Sequence, residues 1–203
     1  MSTTETPSLA PIDHDARAAL FTDARTANTF SDKPVTDKEL SEIWELARWA
    51  PTSANTQPMH LVYVRTQEGK KRLVPHMSEG NQAKTQSAPA TAILAADLDF
   101  HEQIPRTFPI APQMKDNFAE EDVRHPFAKY NATLQAGYFI LAIRAVGLAA
   151  GPMLGYDGDG IDKEFFAGTP LRTILVVNIG HPGEKPWFDR LPRLDHDEVI
   201  SWA

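Results

Sequence analysis

The chain of 203 residues contains no cysteine, and that absence removes several kinds of chemistry at once. Disulfide bonds, thiolate metal sites and thiol nucleophiles all require cysteine. A chain without cysteine fits a reducing compartment, so we expect the protein to be cytoplasmic. Any redox chemistry that it performs must come from a bound cofactor.

The motifs of common nucleotide-binding and hydrolytic sites are also missing. The sequence has no G-x-G-x-x-G, no G-x-x-x-x-G-K-[ST] and no G-x-S-x-G, which leaves Rossmann, P-loop and serine-hydrolase sites without support. The histidines show neither H-x-x-x-H nor H-E-x-x-H spacing, so we expect no metal site. Residues 155–160 are similar to a calcium loop but lack its later bidentate glutamate, and a Gly/Asp turn is the simpler interpretation.

Charge and hydropathy are those of an ordinary soluble domain. The formal net charge of −7 argues against nucleic acid or an anionic membrane as a partner. No apolar stretch approaches the roughly 20 residues that span a bilayer, and the first residues lack the order of a signal peptide. We expect residues 1–14 to be a disordered lead-in and residues 15–203 to form one domain.

Periodicity predicts a mixture of helices and strands. Thr36 and Glu39 form a capping box at the start of a helix that Pro51 ends. The apolar positions of this helix fall on one face: Leu40, Ile43, Trp44 and Ala47. Further helices are predicted at 16–21, 68–74, 127–144 and 161–166, and strands at 60–65, 89–96 and 171–179. Without strict βαβ alternation, an α+β fold with a mostly antiparallel sheet is favoured.

Three predictions concern the remaining segments. The helix at 127–144, closed by Gly147, is apolar on most sides and is expected at the buried centre of the fold. Residues 98–123 show no clear period, which is typical of a lid or a specificity segment. Residues 151–160 are expected to be loop.

The most informative segment is the turn at residues 50–58. It contains two prolines, three hydroxyl side chains and two amides between a predicted helix and a predicted strand. Such a turn suits a flat ligand with a polar edge, or it is an ordinary helix exit. Basic and amide residues elsewhere in loops could together clamp a phosphate and the carbonyl edge of a ring: Arg25, Asn28, Asn55, Asn81, Lys84, Arg190 and Arg193.

Five segments, in this order, resemble the FMN-dependent nitroreductase family. They are residues 23–28, 50–58, 80–85, 151–157 and 190–194. The resemblance extends from about Leu20 to the C-terminus, and it is closest to the branch that contains malonic semialdehyde reductase of pyrimidine degradation. It implies a three-layer α+β fold, an intertwined homodimer, and a tail from about residue 181 that wraps the partner subunit.

The resemblance also implies a set of cofactor-binding residues for FMN. Arg25, Thr26 and Asn28 match the segment at the FMN phosphate and pyrimidine edge. The turn that covers the partner's isoalloxazine is matched by Pro51, Thr52, Ser53 and Asn55. Asn81 and Lys84 match an amide and a lysine near the ring, Leu154 and Gly155 match the loop whose backbone N–H approaches flavin N5, and Arg190 matches a phosphate ligand.

Several positions depart from the family pattern. Ala24, Asn28 and Phe188 stand where many relatives are basic. Met59 stands where a tryptophan is common, and Leu154 replaces an acidic residue, so only its backbone contact is transferred.

The function implied is ping-pong hydride transfer from NADH or NADPH through flavin N5, without a side-chain nucleophile. The branch resemblance favours reduction of malonic semialdehyde to 3-hydroxypropionate. Arg106 or Arg124 could pair the substrate carboxylate bidentately, and a solvated surface arginine is the simpler interpretation of each. The alternatives are a broad NAD(P)H nitroreductase or quinone reductase, and a flavin-binding protein without turnover.

Overall fold

The computed structural model describes residues 10–203. Residues 1–9 of the predicted lead-in lie outside the described residues. The first helix begins at His14, where the Asp13 carboxylate accepts a hydrogen bond from the Ala16 N–H at 2.7 Å. The helix predicted at 16–21 is therefore a short α-helix followed by a π-helical turn, Ala18–Thr22.

Most predicted elements are present, with ends that differ by at most six residues. Within residues 10–203 the α-helices are α1 (His14–Arg17), α2 (Asp37–Ala47), α3 (Gln67–Leu73), α4 (Glu79–Ser87), α5 (Ile104–Thr107), α6 (Glu121–Ala145), α7 (Gly158–Phe165) and α8 (His196–Val199). The strands of the same part of the chain are β1 (Met59–Val64), β2 (Ala90–Asp97), β3 (Ala149–Met153) and β4 (Leu171–Gly180). None of these helices combines the length and apolarity needed to cross a membrane.

The capping box at the start of α2 is confirmed. The Glu39 N–H donates to Thr36 Oγ1 at 3.2 Å, and the Thr36 N–H donates to Glu39 Oε2 at 2.7 Å. The hydrogen bonds from Thr36 lower the pKa of the Glu39 carboxyl. Of the predicted apolar face, Leu40, Ile43 and Ala47 are buried, and the helix ends before Pro51 as expected.

The sheet is antiparallel throughout, as the sequence predicts, with strand order β1-β2-β4-β3. One prediction is wrong: part of the expected loop at 151–160 forms the end of β3, and another part begins α7. The sequence of β3, AAGPM, has little strand propensity, but an edge strand tolerates proline because it needs hydrogen bonds on one side only.

Helices cover both faces of the sheet, which gives three layers. On one face, Ile43 of α2 and Phe139 of α6 belong to the same buried cluster as Leu94 of β2. On the opposite face, Leu73 of α3 and Ile161 of α7 belong to a second cluster with other residues of the sheet. Side chains of a strand alternate between the faces, so the sheet separates the two clusters.

Helix α6 packs against the sheet as expected, but it is buried on one side only, not on most sides. Tyr130, Leu134 and Tyr138 are exposed at 69%, 43% and 44% of their surfaces. The buried face instead carries small and amide side chains: Ala128, Asn131, Ala132, Gln135, Ala136, Phe139, Ala142 and Ile143. The alanines let α6 lie close to its neighbours, and the larger apolar side chains are left as a stripe on the outside.

Candidate functional site

The segment at residues 25–28 lies against the edge strand β3. The Ala27 N–H donates to the Ala150 carbonyl at 2.9 Å. A Cβ on Gly151 would stand 2.7 Å from the Ala27 carbonyl oxygen, so this close approach requires glycine. Thr26 is exposed, and its carbonyl accepts from Asn28 Nδ2 at 3.4 Å. Arg25, Thr26 and Asn28 are thereby held beside β3.

The loop that follows β3 is fixed to the start of α4. Asn81 Nδ2 donates to the Gly155 carbonyl at 2.9 Å, and the Ser78 N–H donates to the same oxygen at 3.0 Å. A Cβ on Gly155 would lie 2.7 Å from Asn81 Nδ2. The Gly155 N–H has no acceptor within residues 10–203, whereas the side chain of Leu154 is 76% exposed. The loop therefore presents a backbone donor next to a neutral amide.

Lys84 lies on the same helix as Asn81 and is half-buried. Its ammonium forms neither a hydrogen bond nor an ion pair with any residue of the described chain. A half-buried cation without a carboxylate partner is well suited to an anionic ligand.

The C-terminal tail returns over the segment at residues 22–29. Arg190 donates from its guanidinium to the Thr22 carbonyl, and Arg25 Nη1 donates to the Phe188 carbonyl at 3.2 Å. Both arginines remain exposed. Arg25 also lines a groove of about 240 Å³ beside β3, together with Arg144, whose pKa is lowered by burial. Arg25 therefore lies beside the first residues of β3, and Asn81 and Gly155 lie just beyond its last residue.

The turn at residues 50–58 adopts an unusual backbone conformation. Ala54, Asn55 and Gln57 have left-handed φ values of 49°, 49° and 46°. Left-handed conformations cost energy for residues other than glycine and are concentrated at functional sites. The Thr52 hydroxyl accepts from the Gln57 N–H at 3.2 Å, and Pro51 is exposed.

Two buried amides on α6, neither of them predicted from the sequence, hold this turn. Asn131 Oδ1 accepts from the Ser53 N–H at 2.8 Å, and Gln135 Oε1 accepts from the Met59 N–H at 2.9 Å. The signal was present, because Asn131 and Gln135 stand four residues apart in a long apolar helix. Asn55 Nδ2 in turn donates to the Thr107 carbonyl at 2.7 Å.

The turn and the other predicted site segments lie at opposite edges of the sheet. The turn precedes β1, whereas the Arg25, Asn81 and Gly155 segments flank β3. Three inter-strand spacings separate these edge strands, a distance of about 14 Å. One chain alone therefore does not place the turn against the β3 edge.

Beside the turn, α2, β1 and the segment at residues 98–107 enclose an open groove of about 1060 Å³. Trp44, Asn55 and Arg106 are among its lining residues. Arg106 is exposed and its Nε donates to Gln103 Oε1 at 3.2 Å.

The expectation that Arg124 could bind a substrate carboxylate does not fit its surroundings. Arg124 is 9% exposed. Its Nε donates to the Leu98 carbonyl at 2.9 Å, and Nη1 donates to the carbonyls of Phe118 and Ala119 at 3.0 and 2.8 Å. Nη2 lies 3.5 Å from the Asp99 carboxylate. The guanidinium is thus occupied in holding the ends of the 98–123 segment together.

Comparison with known proteins identifies a family. Residues 22–181 match the model of the nitroreductase family. A Streptomyces coelicolor protein provisionally named NADH dehydrogenase/NAD(P)H nitroreductase is 59% identical over 196 residues, covering 96% of this chain and 97% of that protein. A protein of the same name from Stenotrophomonas maltophilia is 46% identical over 192 residues, covering 95% and 98%.

Solved structures share the fold. A nitroreductase family protein from Streptococcus pneumoniae superimposes with a TM-score of 0.78 at 25% identity, covering 91% of this chain and 98% of that one. A provisionally named nitroreductase from Exiguobacterium sibiricum, solved in complex with FMN, gives a TM-score of 0.82 at 19% identity and covers 97% and 100%.

Proposed function

The chain belongs to the nitroreductase family, and from that premise we propose that it is an FMN-dependent oxidoreductase that takes electrons from NADH or NADPH. The observation that supports FMN most strongly is the donor set at the β3 edge. It combines the uncommitted Lys84 ammonium, the Asn81 amide and the Gly155 N–H, which has no acceptor in the described chain.

The chemistry of this donor set fits FMN. Arg25, Lys84 and Arg190 form no ion pair with an acidic side chain of residues 10–203, so their positive charges are available to a phosphate and a reduced ring. Asn81 and the Gly155 backbone supply neutral donors for ring heteroatoms. When bound, FMN supplies hydride acceptance and donation.

In this proposal the protein positions the reactants and stabilises charge. Lys84 would stabilise negative charge on the bound ring, and the Gly155 N–H would supply a hydrogen-bond donor to a ring nitrogen. No side chain acts as a nucleophile. Nicotinamide and acceptor would bind in turn at the same site, and ping-pong kinetics would follow.

We further propose that the functional unit is a homodimer in which each turn completes the partner's site. Three features support it: the turn and the β3 edge lie apart in one chain, α6 exposes the stripe of Tyr130, Leu134 and Tyr138, and the tail exposes large apolar side chains. Of the tail residues, Phe188 is 74% exposed and Trp202 is 85% exposed. Exposed apolar surface of this extent is typical of a subunit interface.

Complementation between two inactive variants tests the shared site. Lys84→Met impairs the β3 edge and Asn55→Ala impairs the turn, so each homodimer has two defective sites. Random co-assembly makes half of the dimers mixed, and one site of each mixed dimer is intact, so about a quarter of the wild-type activity should return. Activity that stays at the level of the separate variants would show that each chain builds its own site.

For the acceptor, the names of the two relatives favour a broad nitroaromatic or quinone reductase. Malonic semialdehyde remains the narrower hypothesis, and of the two arginines considered for its carboxylate only Arg106 is exposed beside the groove. The ratio of kcat/KM for a nitroaromatic, a quinone and malonic semialdehyde decides between them. A semialdehyde value well above the other two would refute the broad assignment.

A further inference from the structure

Lys70 is a buried charge without a counter-ion in the described chain. Its side chain is 2% exposed, and Nζ donates to the Thr85 carbonyl at 2.7 Å and to Thr91 Oγ1 at 2.6 Å. No acidic side chain of residues 10–203 pairs with it. Burying an ammonium without a carboxylate is costly, and an apolar side chain of similar length avoids that cost.

One role of Lys70 is to satisfy the C-terminal end of α4. The Thr85 carbonyl lies in the last turn of this helix, and the residue four positions later is Pro89, which has no N–H. Lys70 supplies the missing donor, and its positive charge is favourable at the negative end of the helix. Helix α4 is the element that carries Asn81 and Lys84.

From Lys70 a chain of hydrogen bonds crosses the sheet in one direction. Lys70 donates to Thr91 Oγ1, which donates to Asn178 Oδ1 at 2.8 Å. Asn178 Nδ2 donates to Thr85 Oγ1 at 3.3 Å, and that hydroxyl donates to Met153 Sδ at 3.8 Å. All the side chains of this chain are buried. Each donor polarises the next, so the charge at Lys70 orients the whole network.

The network ends on both elements of the proposed cofactor edge. Thr85 adjoins Lys84 in α4, and Met153 is the last residue of β3, directly before Leu154 and Gly155. Resting on the proposed function, we infer that Lys70 is a positioning residue for the cofactor: it fixes α4 relative to the end of β3 and adds positive potential behind this edge. Such potential favours the more negative, reduced form of a bound flavin.

The charge state of Lys70 is consistent with this role. Burial lowers the pKa of the Lys70 ammonium to about 8, so the group remains mainly protonated at neutral pH. A purely structural lysine would affect folding but would leave the relative affinities for oxidised and reduced flavin unchanged.

The test compares Lys70→Met and Lys70→Gln with Lys71→Met, a matched control at an exposed lysine of the same helix. Lys70→Gln removes the charge but keeps an N–H donor. The readouts are the midpoint potential of bound FMN, the Kd for oxidised FMN and the Tm of the apoprotein. In both Lys70 variants we expect the affinity for reduced FMN to fall about tenfold relative to the affinity for oxidised FMN. This change lowers the midpoint potential by about 30 mV. The potential of Lys71→Met should equal that of wild type.

If wild type binds FMN and the folded Lys70 variants show the same midpoint potential as wild type, the inference is overturned. This holds even if the Tm of the variant apoproteins falls. If neither Lys70 variant folds, Thr91→Val is decisive, because it breaks the chain to Asn178 and leaves the Lys70–Thr85 bond in place. A lower potential in Thr91→Val supports the inference, and an unchanged one overturns it. A wild type that binds no FMN would instead refute the proposed function, and the inference with it.

Discussion

Substituting Gly155 by alanine is the smallest change that tests the candidate site. The added Cβ would lie 2.7 Å from Asn81 Nδ2 and 3.0 Å from Ser78 Oγ, both shorter than a van der Waals contact. Asn81 cannot retreat without losing its 2.9 Å hydrogen bond to the Gly155 carbonyl. The substitution therefore separates the loop after β3 from α4.

The expected magnitude follows from two effects. Overpacking of this kind costs about 1–3 kcal/mol, and a lost hydrogen bond costs about 1 kcal/mol. The two costs do not add fully, because a shift of Asn81 that breaks the hydrogen bond also relieves the overpacking. We therefore expect the free energy of unfolding to fall by about 2 kcal/mol. The Kd for FMN should rise by about tenfold, because the displaced Asn81 and Gly155 N–H are proposed cofactor donors.

Urea denaturation and quenching of flavin fluorescence measure the two quantities. Gly80→Ala is the matched control, since Gly80 precedes Asn81 in α4 and its Cβ would meet nothing within 4 Å. Alanine in a helix is favoured over glycine, so this control should be stabilised by up to about 1 kcal/mol with unchanged FMN binding. If Gly155→Ala behaves like Gly80→Ala in both assays, the reasoning about the β3 edge is wrong.

Three further predictions concern stability and substrate selection. Thr36→Ala removes the cap on the Glu39 N–H and should lower the free energy of unfolding in urea by about 1 kcal/mol, and no change would mean that the cap is redundant. Arg124→Met leaves buried carbonyls without donors and should lower the free energy of unfolding by about 3 kcal/mol. The ratio of kcat/KM for malonic semialdehyde to that for a nitroaromatic should not change, and a changed ratio would indicate that Arg124 binds the substrate. The pKa of Lys70 is lowered to about 8 in the folded protein. Between about pH 7.5 and about pH 10 the unfolded chain therefore binds more protons than the folded one, and stability rises with pH. Over this range the free energy of unfolding of wild type should rise by about 2 kcal/mol relative to that of Lys70→Met. A pH-independent difference between these two proteins would contradict the burial of a charged Lys70.

Features governed by local signals were predictable from the sequence. The capping box at Thr36 is read from two residues and was found where expected. Strand β4 has a β-branched run and lies centrally between β2 and β3, as its composition indicates.

Features that depend on distant contacts were not predictable. Strand β3 exists because β4 offers it an edge, and nothing in AAGPM signals that pairing. The periodicity of α6 was clear, but alanines rather than large apolar residues mark its inner face, so the sequence did not show that several large apolar side chains of this helix are exposed. Lys70 stands beside Lys71 and Arg72 in a polar helix, and only the fold distinguishes the buried cation from its exposed neighbours.

In the candidate site, too, some features could be predicted from the sequence and others depend on distant contacts. The resemblance named Arg25, Asn81 and Gly155, and the fold places Arg25 beside β3 and Asn81 against Gly155 in the loop that follows β3, although their role in binding FMN stays a prediction. The resemblance could not indicate that the Arg124 guanidinium donates its hydrogen bonds to backbone carbonyls, because these contacts depend on how residues 98–123 fold back onto α6.

Anaerobic titration of the FMN-loaded protein with NADH and, separately, with NADPH tests the central claim most directly. We expect at least one nicotinamide to bleach the absorbance of the bound flavin and a nitroaromatic or quinone to restore it after the nicotinamide is exhausted. A flavin that stays oxidised in excess NADH and in excess NADPH would contradict the claim and indicate a flavin-binding protein without turnover.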